Sequence, residues 1–174
     1  MATAVRDRPD LPKGYISRRL KGMLDWADAE RVLGLSRYYW IATTDRDGRP
    51  HLIQQWGAWV DGAFWFEGSD ETRWARNLAR DGRLGFGGQV GTRAVMAEAT
   101  GEIVRRVDRA IAEQLAKRYS SKYGATFSYR PKPEQYLNGH AFRARPTKVI
   151  LFDVKRFNTS ATRFTFGADG RDRG

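Results

Sequence analysis

The chain has 174 residues, 41% hydrophobic and 13% aromatic, enough for one domain with a sizeable core. It contains no cysteine, which excludes disulfide staples and thiolate metal sites and fits a reducing compartment. Its formal net charge of +11 is dispersed over "SRRLKG", "VRRVDR" and "FRARPTK" rather than gathered in a basic tail. With no zinc-finger, helix-turn-helix or RNA-recognition signature, nucleic acid is not the expected partner, and a polyanionic small ligand or plain solubility charge is.

The opening "MATAVRDRPDLPKG" has no apolar run, so no secretory leader is expected there, and residues 1–16 read as a flexible amino terminus. Nowhere is there a run of the ~18 apolar residues that a membrane span needs, so a cytoplasmic protein is expected. Residues 17–174 read as one domain. "SRRLKGMLDWADAERVLGLS", residues 17–36, has the spacing of one or two short amphipathic helices.

From residue 39 the period changes. Tyr39 to Thr44 predicts a strand, Asp45 to Gly48 a hairpin turn, and His51 to Val60 a second strand. Asp61–Gly62 is a tight turn into a third strand, Ala63 to Glu67, which completes an antiparallel meander. A helix over 69–80 follows, with Ser69 as its cap, Asp70 and Glu71 in its first turn, and Gly82 past its end. "RLGFGGQ" and "RAVMAEATGEIV" predict two more strands around Val90–Gly91. "VDRAIAEQLAKRYSSKYG" predicts a helix with Ile111, Leu115 and Tyr119 on one face. "KVILFDV" and "ATRFTF" predict the last strands, and "ATFSYRPKPEQYLNGHAFRARP" is irregular and long for a loop. The order points to an α+β fold: a small antiparallel barrel with a helix inserted after strand three and further helices at the periphery.

The inserted helix is the chemically suggestive element. Arg73, Arg76 and Asn77 fall at i, i+3 and i+4 on one face, close to a helix start that itself favours anions. Trp74 and Leu78 fall on the opposite face, toward the barrel. A basic solvent-facing helix with one core tryptophan is the bland alternative. Gln54 and Gln55 are neighbours, so in a regular strand one of them faces inward and needs a hydrogen-bond partner. His51 and His140 are weak candidates for proton transfer, and no metal site with ligand spacing is evident. Tyr129, Arg130 and Tyr136 in the irregular segment are candidates for shaping a substrate side.

The run over residues 39–86, with "DGRPH" leading into a strand, then "DG", an aromatic strand and "TRWARNL", resembles the split β-barrel flavin and deazaflavin proteins of the pyridoxamine 5′-phosphate oxidase-like superfamily. "TKVILFDVKRFNTSATRFTF" resembles the end of its oxidase-like and F420-dependent branch. The likeness covers most of residues 36–166 and is weakest over 120–146. It implies a homodimer with a cofactor in a groove between two barrels. It further implies that Leu52, Ile53, Gln54, Gln55 and Trp56 lie along the cofactor ring, that Phe66 and Glu67 approach its ribityl chain, and that Thr72 and Arg73 take its phosphate. Arg163 would reach the partner's cofactor. The family's helix-start motif is Ser/Thr-Arg-Lys, and Trp74 stands where the lysine belongs. An indole cannot replace an ammonium at a phosphate. Either Trp74 seals or stacks beside the ligand while Arg73 and Arg76 hold it, or the site has shifted. The resemblance therefore implies an oxidoreductase using coenzyme F420, whose charge is spread over a phosphodiester and an acidic tail, with flavin mononucleotide (FMN) as the alternative. A non-catalytic flavin- or haem-binding barrel is the alternative of a different class. No acid–base residue can be named from the sequence.

Overall fold

The computed structural model describes residues 4–167. In chain order the elements are β1 (Val5–Asp7), α1 (Trp26–Leu35), β2 (Tyr39–Thr44), β3 (Pro50–Gln55), β4 (Gly57–Val60) and β5 (Ala63–Phe66), then α2 (Arg73–Arg80), β6 (Arg83–Val90) and β7 (Arg93–Val104). They continue with α3 (Arg109–Phe127), α4 (Pro133–Leu137), β8 (Ala141–Asp153), a 3-10 turn at Val154–Arg156, α5 (Phe157–Ser160) and β9 (Thr162–Thr165). The nine strands form one antiparallel sheet in the order β1-β9-β8-β7-β6-β2-β3, with β4 on β5 and β5 on β8. This is the split-barrel α+β architecture, and the hydrogen-bonded sheet does not close.

The split has two origins. Strand β8 is long enough to carry two partners along the edge opposite β7: Phe142–Ala144 pair with β5, and Lys148–Leu151 pair with β9. A bulge opposite Glu98/Ala99 separates the two halves, and it is there that Pro146 is tolerated inside a strand. The second origin is Trp56. Residues 51–60, read from the sequence as one strand, are two. The first part pairs with β2 and the second with β5, so the chain changes partner at Trp56–Gly57. The bend needs a glycine, because a Cβ on Gly57 would lie 2.2 Å from Phe64 Cε2. Its backbone groups are met by α3: Tyr123 Oη accepts from Gly57 N at 3.0 Å, and Lys122 Nζ donates to Gly57 O at 2.8 Å.

Two cores result. The barrel interior is an aromatic stack of Tyr39, Phe64, Phe66, Phe86 and Phe142, with neighbouring ring centroids 4.4–5.4 Å apart. The second core lies between the outer face of β4–β5 and α3, where Ala58, Val60 and Trp65 meet Leu115, Tyr119 and Tyr123.

The 17–36 stretch, expected to hold one or two short helices, holds one, over residues 26–35, and several other boundaries differ from those expected. Inside the stretch read as a flexible amino terminus, Val5–Asp7 pairs with β9. The irregular segment contains the end of α3, all of α4 and the first half of β8. Helix α2 begins at Arg73 with Thr72 as its cap, three residues later than expected.

Candidate functional site

The cap of α2 determines what its side chains do. Thr72 Oγ1 accepts from Ala75 N at 3.3 Å and donates to the Ser69 carbonyl at 2.9 Å. Ser69 instead accepts from Glu71 N at 3.1 Å, forming a lead-in turn that keeps Asp70 and Glu71 out of the helix. With Arg73 first in the helix, Trp74, Ala75, Asn77 and Leu78 turn inward and are buried. Trp74 is 6% exposed and packs on Phe142 at 4.6 Å and Phe66 at 5.4 Å between ring centroids. Trp74, the residue expected to seal or stack beside a ligand, is thus packed into the barrel core. Asn77 is also inward, its Nδ2 donating to Thr43 Oγ1 at 3.1 Å, so it pins the helix to β2. It does not share a solvent face with the arginines.

The exposed side of α2 carries the charge. Arg73 pairs with Asp45 at 2.9 Å, and Arg76 donates to the Glu71 carbonyl at 2.7 Å. Arg80 reaches the Thr44 carbonyl and Asn77 Oδ1. Asp45 organises the β2–β3 turn. The Arg49 N–H first, then that of Asp47 and the Arg73 guanidinium, hold its carboxyl below the usual value. Between this turn and α2 lies a 440 Å³ concavity lined by Asp45, Arg46, Asp47, Arg76, Asn77 and Arg80. Sequence reasoning missed Arg46 and Arg80. Arg80 lies at i+4 from Arg76 and was detectable by spacing; Arg46 joins only because the hairpin folds back.

A second surface adjoins it. Cross-strand register sets Gln54, Trp40, Gly87 and Met96 in one row, and Leu52, Ala42 and Gly85 in the next. This is the outer face, and it is unusually apolar for solvent: Leu52 is 60% exposed, Trp40 53% and Met96 43%. The side-chain-free Gly85 and Gly87 give it a flat floor, within a 590 Å³ depression that also takes in Tyr38, Trp40 and Gln54. From Trp40 to Asp45, β2 runs five residues, or roughly 16 Å of extended chain, between the flat slot and the arginine cluster.

The remaining candidates divide. Leu52 and Gln54 face the slot, whereas Ile53 and Gln55 face inward, and Gln55 donates to the Glu67 carbonyl. Trp56 is half-buried and stacked on Tyr123 at 4.5 Å and 6°, and Phe66 is buried in the barrel. The Glu67 carboxylate turns into a nest of tyrosines: Oε2 accepts from Tyr129 at 2.6 Å, while Oε1 and the buried Tyr136 hydroxyl have no partner. Burial and this hydrogen bond push the Tyr129 hydroxyl up to about 12. Arg163 continues the Gln54–Trp40 row five strands away, roughly 24 Å, and is held by Asp7 at 2.7 and 2.8 Å. His51 lies opposite Thr43 on the inner side of β3, and His140 Nε2 is 3.2 Å from the Gly68 carbonyl.

Comparison with known proteins gives the family and the fold. The pyridoxamine 5′-phosphate oxidase family model matches residues 26–155. Among solved structures, a conserved hypothetical protein, Rv2991 from Mycobacterium tuberculosis, is similar with 25% identity and a TM-score of 0.63, over 79% of this chain and 90% of that one. An F420 reductase matches with 18% identity and a TM-score of 0.53, over 80% and 98%. A pyridoxamine 5′-phosphate oxidase-related, FMN-binding protein from Nostoc punctiforme matches with 12% identity and a TM-score of 0.56, over 86% and 95%. No curated protein sequence matches. Among the described residues, no helix is long and apolar enough to cross a membrane.

Proposed function

The chain belongs to the pyridoxamine 5′-phosphate oxidase family, and from that premise we propose that it is a homodimeric oxidoreductase that binds a flavin-type cofactor, coenzyme F420 in preference to FMN. The observation that carries the reading is the alignment along β2 of a flat apolar slot with a cluster of guanidiniums. The slot residues Trp40 and Leu52 and the bare glycine floor suit a planar ring, and Gln54 offers an amide to the ring edge. Such an exposed apolar face also suits burial against a second copy of the chain.

The preference for F420 rests on charge. The position where the family keeps a lysine is filled by buried Trp74, so a compact phosphate grip lacks that cation. Arg46, Arg76 and Arg80 are instead spread over a hairpin turn and two helical turns. That spread suits an extended polyanion better than one phosphate. When bound, such a cofactor supplies hydride chemistry, and the protein supplies orientation and electrostatics. Arg76 and Arg80 hold the anionic arm, Arg73 is anchored by Asp45, and Trp40 and Leu52 exclude water from one ring face.

Fluorescence titration tests this. F420 should bind at least about tenfold more tightly than FMN, and Arg76→Gln and Arg80→Gln should each weaken it by about 1.5–3 kcal/mol, the scale of a hydrogen bond to a charged group. Failure of F420 to bind, or tighter binding of FMN, would overturn the assignment.

A further inference from the structure

A 660 Å³ cavity lies away from the slot and from the β2–β3 turn, walled by α1, the β4–β5 turn, α3 and β8. Its volume is in the range of small-molecule sites. One wall is aromatic: Trp26 meets Trp59 edge to face at 6.1 Å and Phe166 at 4.9 Å. The other walls carry guanidiniums from three separate elements, Arg31 of α1, Arg118 of α3 and Arg145 of β8.

These arginines differ from their neighbours. Arg143, two residues earlier on β8, is paired with Glu102 at 2.6 Å, and Arg93 is paired with Asp28 of α1, also at 2.6 Å. Among the described residues, Arg31, Arg118 and Arg145 have no carboxylate within ion-pair distance and no side-chain hydrogen bond. Two acids line the same cavity. Glu30 accepts from Trp59 Nε1 at 3.4 Å and so belongs to the aromatic wall, and Asp61 is exposed in the tight turn. The lining therefore carries a net positive charge beside an apolar surface.

We propose that this cavity is a binding site for a small planar aromatic anion, such as an aromatic carboxylate, separate from the cofactor site. The ring lies against Trp26 and Phe166, where it displaces water from apolar surface. The anionic group is taken by Arg118 and Arg145, whose planar forks match a carboxylate. The site does not depend on the identity of the cofactor, because none of its lining residues belongs to the slot or the arginine cluster of α2.

Calorimetric titration with 1-naphthoate, read in parallel by Trp26 and Trp59 fluorescence, tests the proposal. Saturable binding at one site per chain is expected, at least about tenfold weaker for the neutral isostere 1-naphthamide and for Arg145→Gln or Arg118→Gln. Both substitutions remove guanidiniums with no carboxylate partner, so melting temperatures should not fall, and saturating FMN should leave naphthoate affinity unchanged. Absence of saturable binding would overturn the site, as would equal affinity of both variants and the wild type, or displacement of naphthoate by FMN.

Discussion

Trp74→Lys restores the residue type expected in a phosphate-gripping motif, and the structure predicts that it damages the fold instead. The indole is 6% exposed, edge-on to Phe142 and beside Phe66. Burying a tryptophan removes about 150–250 Å² from water, or roughly 4–6 kcal/mol at ~25 cal/mol per Å². Truncation of a buried Trp or Phe costs about 3–5 kcal/mol in cores of this kind. A lysine recovers part of this if its stem lies along Phe142 and its ammonium reaches solvent. A net loss of about 2–4 kcal/mol is expected, a sizeable share of the roughly 5–15 kcal/mol typical of a domain. For a chain of this size that lowers the melting temperature by roughly 4–16 °C. Urea unfolding of both proteins, followed by tryptophan fluorescence and far-UV dichroism, measures it. A variant of unchanged stability that binds FMN more tightly would refute the argument, because position 74 would then face the phosphate.

Three further outcomes follow from buried polar groups. Burial first, and then the charge of Arg118, lowers the Lys122 ammonium from the ordinary 10.5 to about 7. Between those values the unfolded chain holds a proton that the folded chain has released, so stability should rise with pH, by up to a few kcal/mol over the interval. Urea midpoints between about pH 7 and 9 check this, and a slope that persists in Lys122→Met would exclude Lys122 as its source. Tyr129→Phe removes the donor to Glu67 Oε2 while Oε1 already has none. A loss of about 1–3 kcal/mol is expected, and it should shrink in a Glu67→Gln background. Arg8 donates to the carbonyls of Arg19, Lys21, Thr159 and Ala161, fastening the amino-terminal arm across the sheet edge. Arg8→Ala should speed tryptic cleavage after Arg18, Arg19 or Lys21, by about tenfold for each 1.4 kcal/mol of local stability lost, with little effect on the global midpoint.

Local periodicity made much of this fold legible. Strand β2 has the limits its β-branched and aromatic residues imply, and Asp61–Gly62 forms the expected turn with φ of 50° and 66°. Strands β6 and β7 and helix α3 lie where alternation and the i, i+4 pattern put them. The misreadings share a cause, which is competition between equally good local signals settled by distant contacts. Ser69 and Thr72 are both competent caps, and the burial of Trp74 and Leu78 favours the later start. Nothing local in "HLIQQWGAWV" marks a change of partner except Gly57, whose role depends on the nearness of Phe64. "FRARP" alternates as a strand should, with Phe142 and Ala144 inward, but Pro146 concealed it because the bulge that tolerates proline is set by β7. At the site, the α2 arginines were legible by spacing, whereas Arg46 and Trp40 depend on the hairpin and the register of β2 against β3 and β6.

The departure at position 74 is not an isolated change that one substitution reverses. Gly68, at the end of the aromatic hairpin, lies against the indole, and a Cβ there would be 2.6 Å from Trp74 Cζ2. The glycine and the tryptophan are therefore fitted to each other, and the loop 68–72 follows a path that this packing sets. The same path ends in the Thr72 cap, which fixes Arg73 at the first helical position, next to Asp45, and turns Arg76 and Arg80 toward the hairpin. A core substitution and a relocated cationic surface are thus two consequences of one packing arrangement. Under the proposed function an anion is held along the flank of α2 and not at its tip, so a ligand that depends on the tip alone loses more than one that runs along the flank.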